Sequence, residues 1–112
     1  MRIAIASGLF IFSAMSNAQH PGESTRDCPS SGARVYVSAT GAVSLNGKRV
    51  AVTNLQRALE QLDPRPSVIC YARDNPEREP HPDALAALEA VMSLRMPIAL
   101  FRDATFKGAG QK

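Results

Sequence analysis

The side chains able to do chemistry are few in this chain, and most of them stand apart. There are two histidines and two cysteines among 112 residues. His20 lies in a stretch rich in Pro, Gly and Ser, while His81 stands between Pro80 and Pro82. Neither has a second His or Cys at the helical or loop spacing that metal sites use. No metal and no cofactor is expected on those grounds. Cys28 and Cys70 are read instead as partners of each other. A bridge between them would close a loop of roughly 40 residues and stabilise the fold by about 3–4 kcal/mol. The other reading keeps Cys70 as a small buried hydrophobe and Cys28 as a free thiol.

Carboxylates gather once, in Arg73-Asp74-Asn75-Pro76-Glu77-Arg78-Glu79. Paired carboxylates can act as acid and base. The run also leaves the C-terminal end of an expected parallel strand, where α/β sheets bind ligands. Its interspersed arginines favour the plainer reading of a solvated, self-compensating connection. A nucleophile–base pair would have to use His81, and no Gly-x-Ser-x-Gly elbow occurs. Gly108-Ala109-Gly110 follows no strand and opens no helix, so it does not read as a phosphate cradle. No catalytic residue is assigned. Tyr36 and Tyr71, if they point away from the helices, are better candidates for a partner interface, because Tyr tolerates partial exposure and anchors protein contacts. Arg73 and Asp74 join them as interface candidates.

The elements that must position these residues are organised around Ser67 to Phe101. Ser67-Val68-Ile69-Cys70-Tyr71-Ala72 reads as a buried strand. Pro82 and Asp83 suit a first helical turn, and Leu85, Leu88 and Met92 follow at i, i+3, i+7 with Val91 beside them. Pro97 stops that helix before a second short strand, Ile98-Ala99-Leu100-Phe101. Two strands joined by a crossover helix make a parallel βαβ unit. Upstream, residues 34–39 and 42–45 alternate about Thr40-Gly41 as a hairpin. Asn46-Gly47 is a second turn signal, suited to the positive φ of a type I′ turn, and the chain doubles back through Lys48 to Val52. Thr53 and Gln56 form a capping-box pattern ahead of a helix whose stripe is Leu55, Leu59 and Leu62.

The order ββαβαβ predicts an α/β fold of the α+β-like two-layer kind. A mixed sheet of four to five strands would have two helices on one face. The opposite face and an edge are then left for a partner. The expected organisation is a signal peptide over residues 1–18, a flexible N-terminal segment over 19–33, one domain over 34–104 and a disordered tail over 105–112.

The leader is read from Arg2, an apolar run from Ile3 to Ala14, and small residues Ser16 and Ala18 before a cleavage point near Ala18. The apolar run is short of the roughly 20 residues that span a bilayer. The rival expectation is an inner-membrane anchor through residues 3–14. Export to the periplasm or beyond would suit a disulfide. The formal net charge of +3 falls to about +2 without Arg2, and its scatter gives no nucleic-acid stripe.

Val35-Tyr36-Val37 followed by Gly41-Ala42-Val43-Ser44-Leu45-Asn46-Gly47 resembles the opening of the periplasmic domain of the ExbD/TolR family. The resemblance continues through Val50, a Leu-containing helix, Ala72-Arg73-Asp74, a second helix and Ile98 to Phe101, and it covers Arg34 to about Asp103. It implies a non-enzymatic domain of a proton-driven biopolymer transport system, meeting an envelope protein partner and forming a homodimer. Contact with the membrane would be indirect, and contact with peptidoglycan is left open. Proton coupling in that family needs an intramembrane Asp, and residues 3–14 contain no carboxylate, so only the periplasmic module carries over. The alternative from another class is a small secreted hydrolase or hydrolase inhibitor.

Overall fold

The computed structural model describes residues 21–23 and 26–108. The expected leader, the rival anchor, His20 and the last four residues lie outside the described residues. Six strands are present: β1 (Pro21–Glu23), β2 (Ala33–Val37), β3 (Val43–Leu45), β4 (Lys48–Val50), β5 (Ile69–Arg73) and β6 (Ile98–Phe101). Helix α1 (Leu55–Glu60) follows β4 after a 3-10 turn at Val52–Asn54, and α2 (Pro82–Met92) joins β5 to β6. They form one mixed sheet in the order β1-β6-β5-β2-β3-β4. The pairs β1–β6, β6–β5 and β5–β2 are parallel, while β2–β3 and β3–β4 are antiparallel. This is the expected α+β two-layer architecture, with a sixth strand that the flexible reading of residues 19–33 did not include.

Period-2 alternation decides what each face carries. On β2, Ala33, Val35 and Val37 are buried in the main core with Leu55, Leu59, Ala84, Ala87 and Val91, while Arg34 and Tyr36 point the other way. On β5 both sets are buried. Ile69 and Tyr71 lie in the main core, and Cys70 and Ala72 lie in a second cluster with Cys28, Phe101 and Phe106. A strand buried on both faces needs something over the face that the helices leave open. Here the two ends of the described domain supply it.

Cys28 is bridged to Cys70, with Cα atoms 6.1 Å apart. The Cys28 N–H donates to Phe106 O at 3.0 Å, the Gly108 N–H donates to Asp27 Oδ1 at 2.9 Å, and Phe106 packs edge-on to Phe101. Residues 105–108 are therefore packed rather than a disordered tail, and Phe106 is only 6% exposed. One aromatic side chain in a Gly-rich segment suffices to dock it, because burying such a ring stabilises by about 1.5–3 kcal/mol. Residues 28–33 are fixed in the same way, by the disulfide and by Ser67 N–H donating to Ser31 O at 3.0 Å. A disulfide of this kind belongs to an oxidising, non-cytoplasmic compartment. No helix among the described residues is long and apolar enough to cross a membrane.

The helices differ from expectation in detail. Thr53 lies inside the 3-10 turn, so the residue before α1 is Asn54, and it makes no side-chain capping bond. The Leu55/Leu59 stripe is buried as expected. Helix α2 buries Ala84, Ala87 and Val91 instead of the stripe one residue on, and Leu85 and Met92 are 53% and 45% exposed. Small residues let α2 approach the sheet closely enough for the Tyr71 hydroxyl to donate to Ala84 O at 3.0 Å.

Candidate interaction surface

Tyr36 is the centre of the sheet face that the helices leave open. The ladder sets Tyr36 opposite Ser44 on β3 and Ala72 on β5, and sets Ser44 opposite Arg49 on β4. Cross-strand partners share a face, so Ala72, Tyr36, Ser44 and Arg49 form one row across the sheet. The row begins under cover at Phe101 and Phe106 and ends in the open at the β4 edge. Beside it a groove of about 400 Å³ runs between the hairpin end, at Asn46 and Gly47, and the 104–106 segment, with Arg34 and Tyr36 within it. Asn46 and Gly47 have φ of 52° and 88°, the positive values expected of that turn. Asn46 also closes the hairpin by accepting the Arg34 N–H on its side-chain oxygen at 2.8 Å.

The electrostatics of the row are uneven. Partial burial first, then the Asp74 and Asp103 carboxylates, push the Tyr36 phenol up from its ordinary value. Asp103 is itself held down by hydrogen bonds from the Thr105 hydroxyl and backbone N–H, at 2.5 and 3.0 Å. The structure thus places Tyr36 and Asp74 together at one end of β2, where the Asp74 N–H donates to Val37 O at 2.8 Å.

The other two interface candidates lie elsewhere. Tyr71 points into the helix layer, is 5% exposed, and has its phenol pushed up chiefly by burial. It is a core residue and not a docking one, because alternation along β5 puts it on the face opposite Tyr36. Arg73, on the same side as Tyr71, donates to the carbonyls of Asn75, Pro76 and Arg78 at 3.3, 2.7 and 3.0 Å. It organises the charged loop instead of presenting itself. The loop is tied to the end of β6 by the exposed Arg102–Glu77 ion pair at 2.6 Å.

A small cleft of about 130 Å³ does gather Ser38, Asp74, Glu79 and His81, the residue types of a hydrolytic triad. Their bonding is wrong for one. His81 caps α2, its Nδ1 accepting the Asp83 N–H at 3.0 Å, so in the neutral ring the proton sits on Nε2. A triad needs the reverse, with an acid holding Nδ1–H and a bare Nε2 facing the nucleophile. Ser38 Oγ accepts the Ala42 N–H at 3.0 Å and contacts Thr40 Oγ1 at 3.0 Å, which makes it a turn-forming hydroxyl. Among the described residues no group of three or more His, Cys, Asp or Glu is placed to hold a metal ion.

Sequence reading missed Phe106, the Gly41–His81 contact, and the exposed flank of α2. Phe106 carried a legible signal as the lone aromatic of its segment. A scan against protein-family models and a search of curated proteins return no match for this chain.

Proposed function

We propose that the chain is a non-enzymatic, exported protein-interaction domain of the ExbD/TolR type, working in the periplasm or outside the cell after loss of its leader. The observation that carries this is the half-covered second sheet face. A disulfide and Phe106 close it over β5 and β6, and the cover thins through half-buried Tyr36 and Ser44 to exposed Arg49. A sheet face that is only partly screened, with a Tyr at its centre, suits an aromatic anchor in a protein contact. The element order from Arg34 to Asp103 and the Gly41-to-Asn46-Gly47 hairpin support the family reading. The disulfide supports export.

The partner would be an envelope protein or a second copy of the chain, and the proton-coupling Asp would have to come from elsewhere. Two substitutions test this. Tyr36→Glu should abolish association of the folded domain with its envelope partner, measured by co-purification, while His81→Ala should leave association intact. Loss of a hydrolytic activity in His81→Ala, with Tyr36→Glu silent, would instead establish the hydrolase alternative.

A further inference from the structure

Over β5 and β6 the second sheet face is occupied by a short segment of the chain itself. Residues 103–108 leave β6 through a turn, in which the Phe106 N–H donates to Asp103 O at 3.2 Å, and fold back as a strap that joins none of the six strands. The strap is fastened where the Cys28 N–H donates to Phe106 O at 3.0 Å and where the Gly108 N–H donates to Asp27 Oδ1 at 2.9 Å. Lys107 Nζ lies 3.6 Å from Asp27 Oδ2 in an exposed ion pair, which adds little. The anchor is the Phe106 ring, buried edge-on to Phe101 in the cluster that holds Cys28, Cys70 and Ala72. That ring is seated against backbone strain. Phe106 has φ of 54°, a left-handed conformation that is an outlier for a bulky aromatic residue. The receiving wall is fixed, because the disulfide ties Cys28 to Cys70 on β5. One side of the slot is therefore covalently held, and the other rests on one ring.

We propose that residues 103–108 are a displaceable strap, and that the slot they fill accepts an extended segment of a protein partner with an aromatic side chain followed by a cationic one. The strap is the template for that segment. It sets a ring against Phe101, a carbonyl on the Cys28 N–H and an ammonium beside Asp27. Residues 104–106 also wall the groove that contains Tyr36, so a partner docked on Tyr36 meets the strap. Moving it aside extends the contact from Tyr36 onto Phe101, Ala72, Val68 and Ala99, which pack in the same cluster. A contiguous apolar strip of this kind is what a protein segment covers. The inference rests on the interaction reading above and adds its regulation. While the strap is closed, the apparent affinity for the partner is lowered by the fraction of molecules in which the slot is open.

The test is an NMR titration of the oxidised chain with the synthetic peptide Arg-Asp-Ala-Thr-Phe-Lys-Gly, which repeats residues 102–108. A control peptide has Ser in place of Phe. Phe106→Gly empties the slot and relieves the backbone. That variant should bind the phenylalanine peptide about tenfold more tightly than the native chain does, with amide shifts at Cys28 and Phe101, and should not bind the control. In the native chain, amide exchange at Cys28 and Gly108 should be faster than at Val35 and Ile69, because the strap opens without global unfolding. That comparison decides the matter even where Phe106→Gly does not fold. Equal affinity of variant and native chain, no preference for Phe over Ser, or exchange at Cys28 and Gly108 as slow as at Val35 would overturn the proposal. The two readings fail separately. The peptide and exchange results test the strap alone, whereas co-purification unaffected by Tyr36→Glu would remove the interaction reading itself.

Discussion

The His81 ring rests directly on the backbone of Gly41. A methyl group added at Gly41 would lie 2.6 Å from Cε1 and 2.7 Å from Nδ1 of His81, closer than any real side chain approaches. Gly41 also has φ of +91°. One contact thereby joins the β2–β3 turn to the N-terminus of α2, where the same ring caps the helix through Asp83.

Gly41→Ala should therefore cost about 2–3 kcal/mol, combining backbone strain with displacement of the ring. Denaturant unfolding checks this. In the double variant with His81→Ala the clash is gone, and the cost should be clearly less than the sum of the two single losses. Strict additivity would mean that the contact does not couple turn and helix.

Removing the disulfide should destabilise the domain by about 4 kcal/mol, as expected for a bridge closing a loop of this length; the two cysteines are 42 residues apart. Cys28→Ser with Cys70→Ala is the variant to unfold. Hydrogen exchange should show the earliest loss at the backbone N–H of position 28 and at Gly108, which bond Phe106 O and Asp27, while Val35 and Ile69 stay protected.

Substitutions along α2 should reverse the sequence-based ranking. Leu85→Ala and Met92→Ala, at exposed positions, should each change stability by less than about 0.5 kcal/mol. Ala87→Leu, at a fully buried position, should cost about 1–3 kcal/mol through overpacking. The periodicity of this segment carried two stripes one residue apart, 84-87-91 and 85-88-92. Weighting by side-chain size selects the second. The sheet selects the first, because Tyr71 beneath the helix leaves room only for small side chains, and that constraint comes from a strand distant in sequence. The hairpin, both turns, the Leu55/Leu59 stripe and the disulfide were legible because their signals are local or limited to two cysteines. Strand β1 was not, since Pro21-Gly22-Glu23 has no strand character of its own and forms only against β6. At the candidate surface, Tyr36 and Asp74 were legible by type, but which Tyr faces outward depends on register that residue types alone do not supply.

Stability should fall on the alkaline side. The Tyr71 phenol is pushed above its ordinary value of 10.0, first by burial, and its neutral O–H donates to Ala84 O. A group whose folded-state pKa is raised contributes fully below its unfolded value and loses that contribution as pH rises through the folded one. The stabilisation that Tyr71 supplies should therefore be complete below pH 10 and be lost above it. Tyr71→Phe should lower stability by about 1 kcal/mol at neutral pH and flatten the alkaline loss. An unchanged alkaline slope in that variant would place its origin elsewhere.

On the proposed reading, the open second face meets a protein in the envelope. The most direct measurement is site-specific photo-crosslinking in the native host, with the reactive side chain placed at Tyr36 and, in parallel, at Met92 on the exposed flank of α2. A discrete protein adduct from Tyr36 that disappears with Arg49→Glu, and none from Met92, is the predicted result. Adducts from Met92 alone would place the interface on the helix layer and overturn the proposed reading.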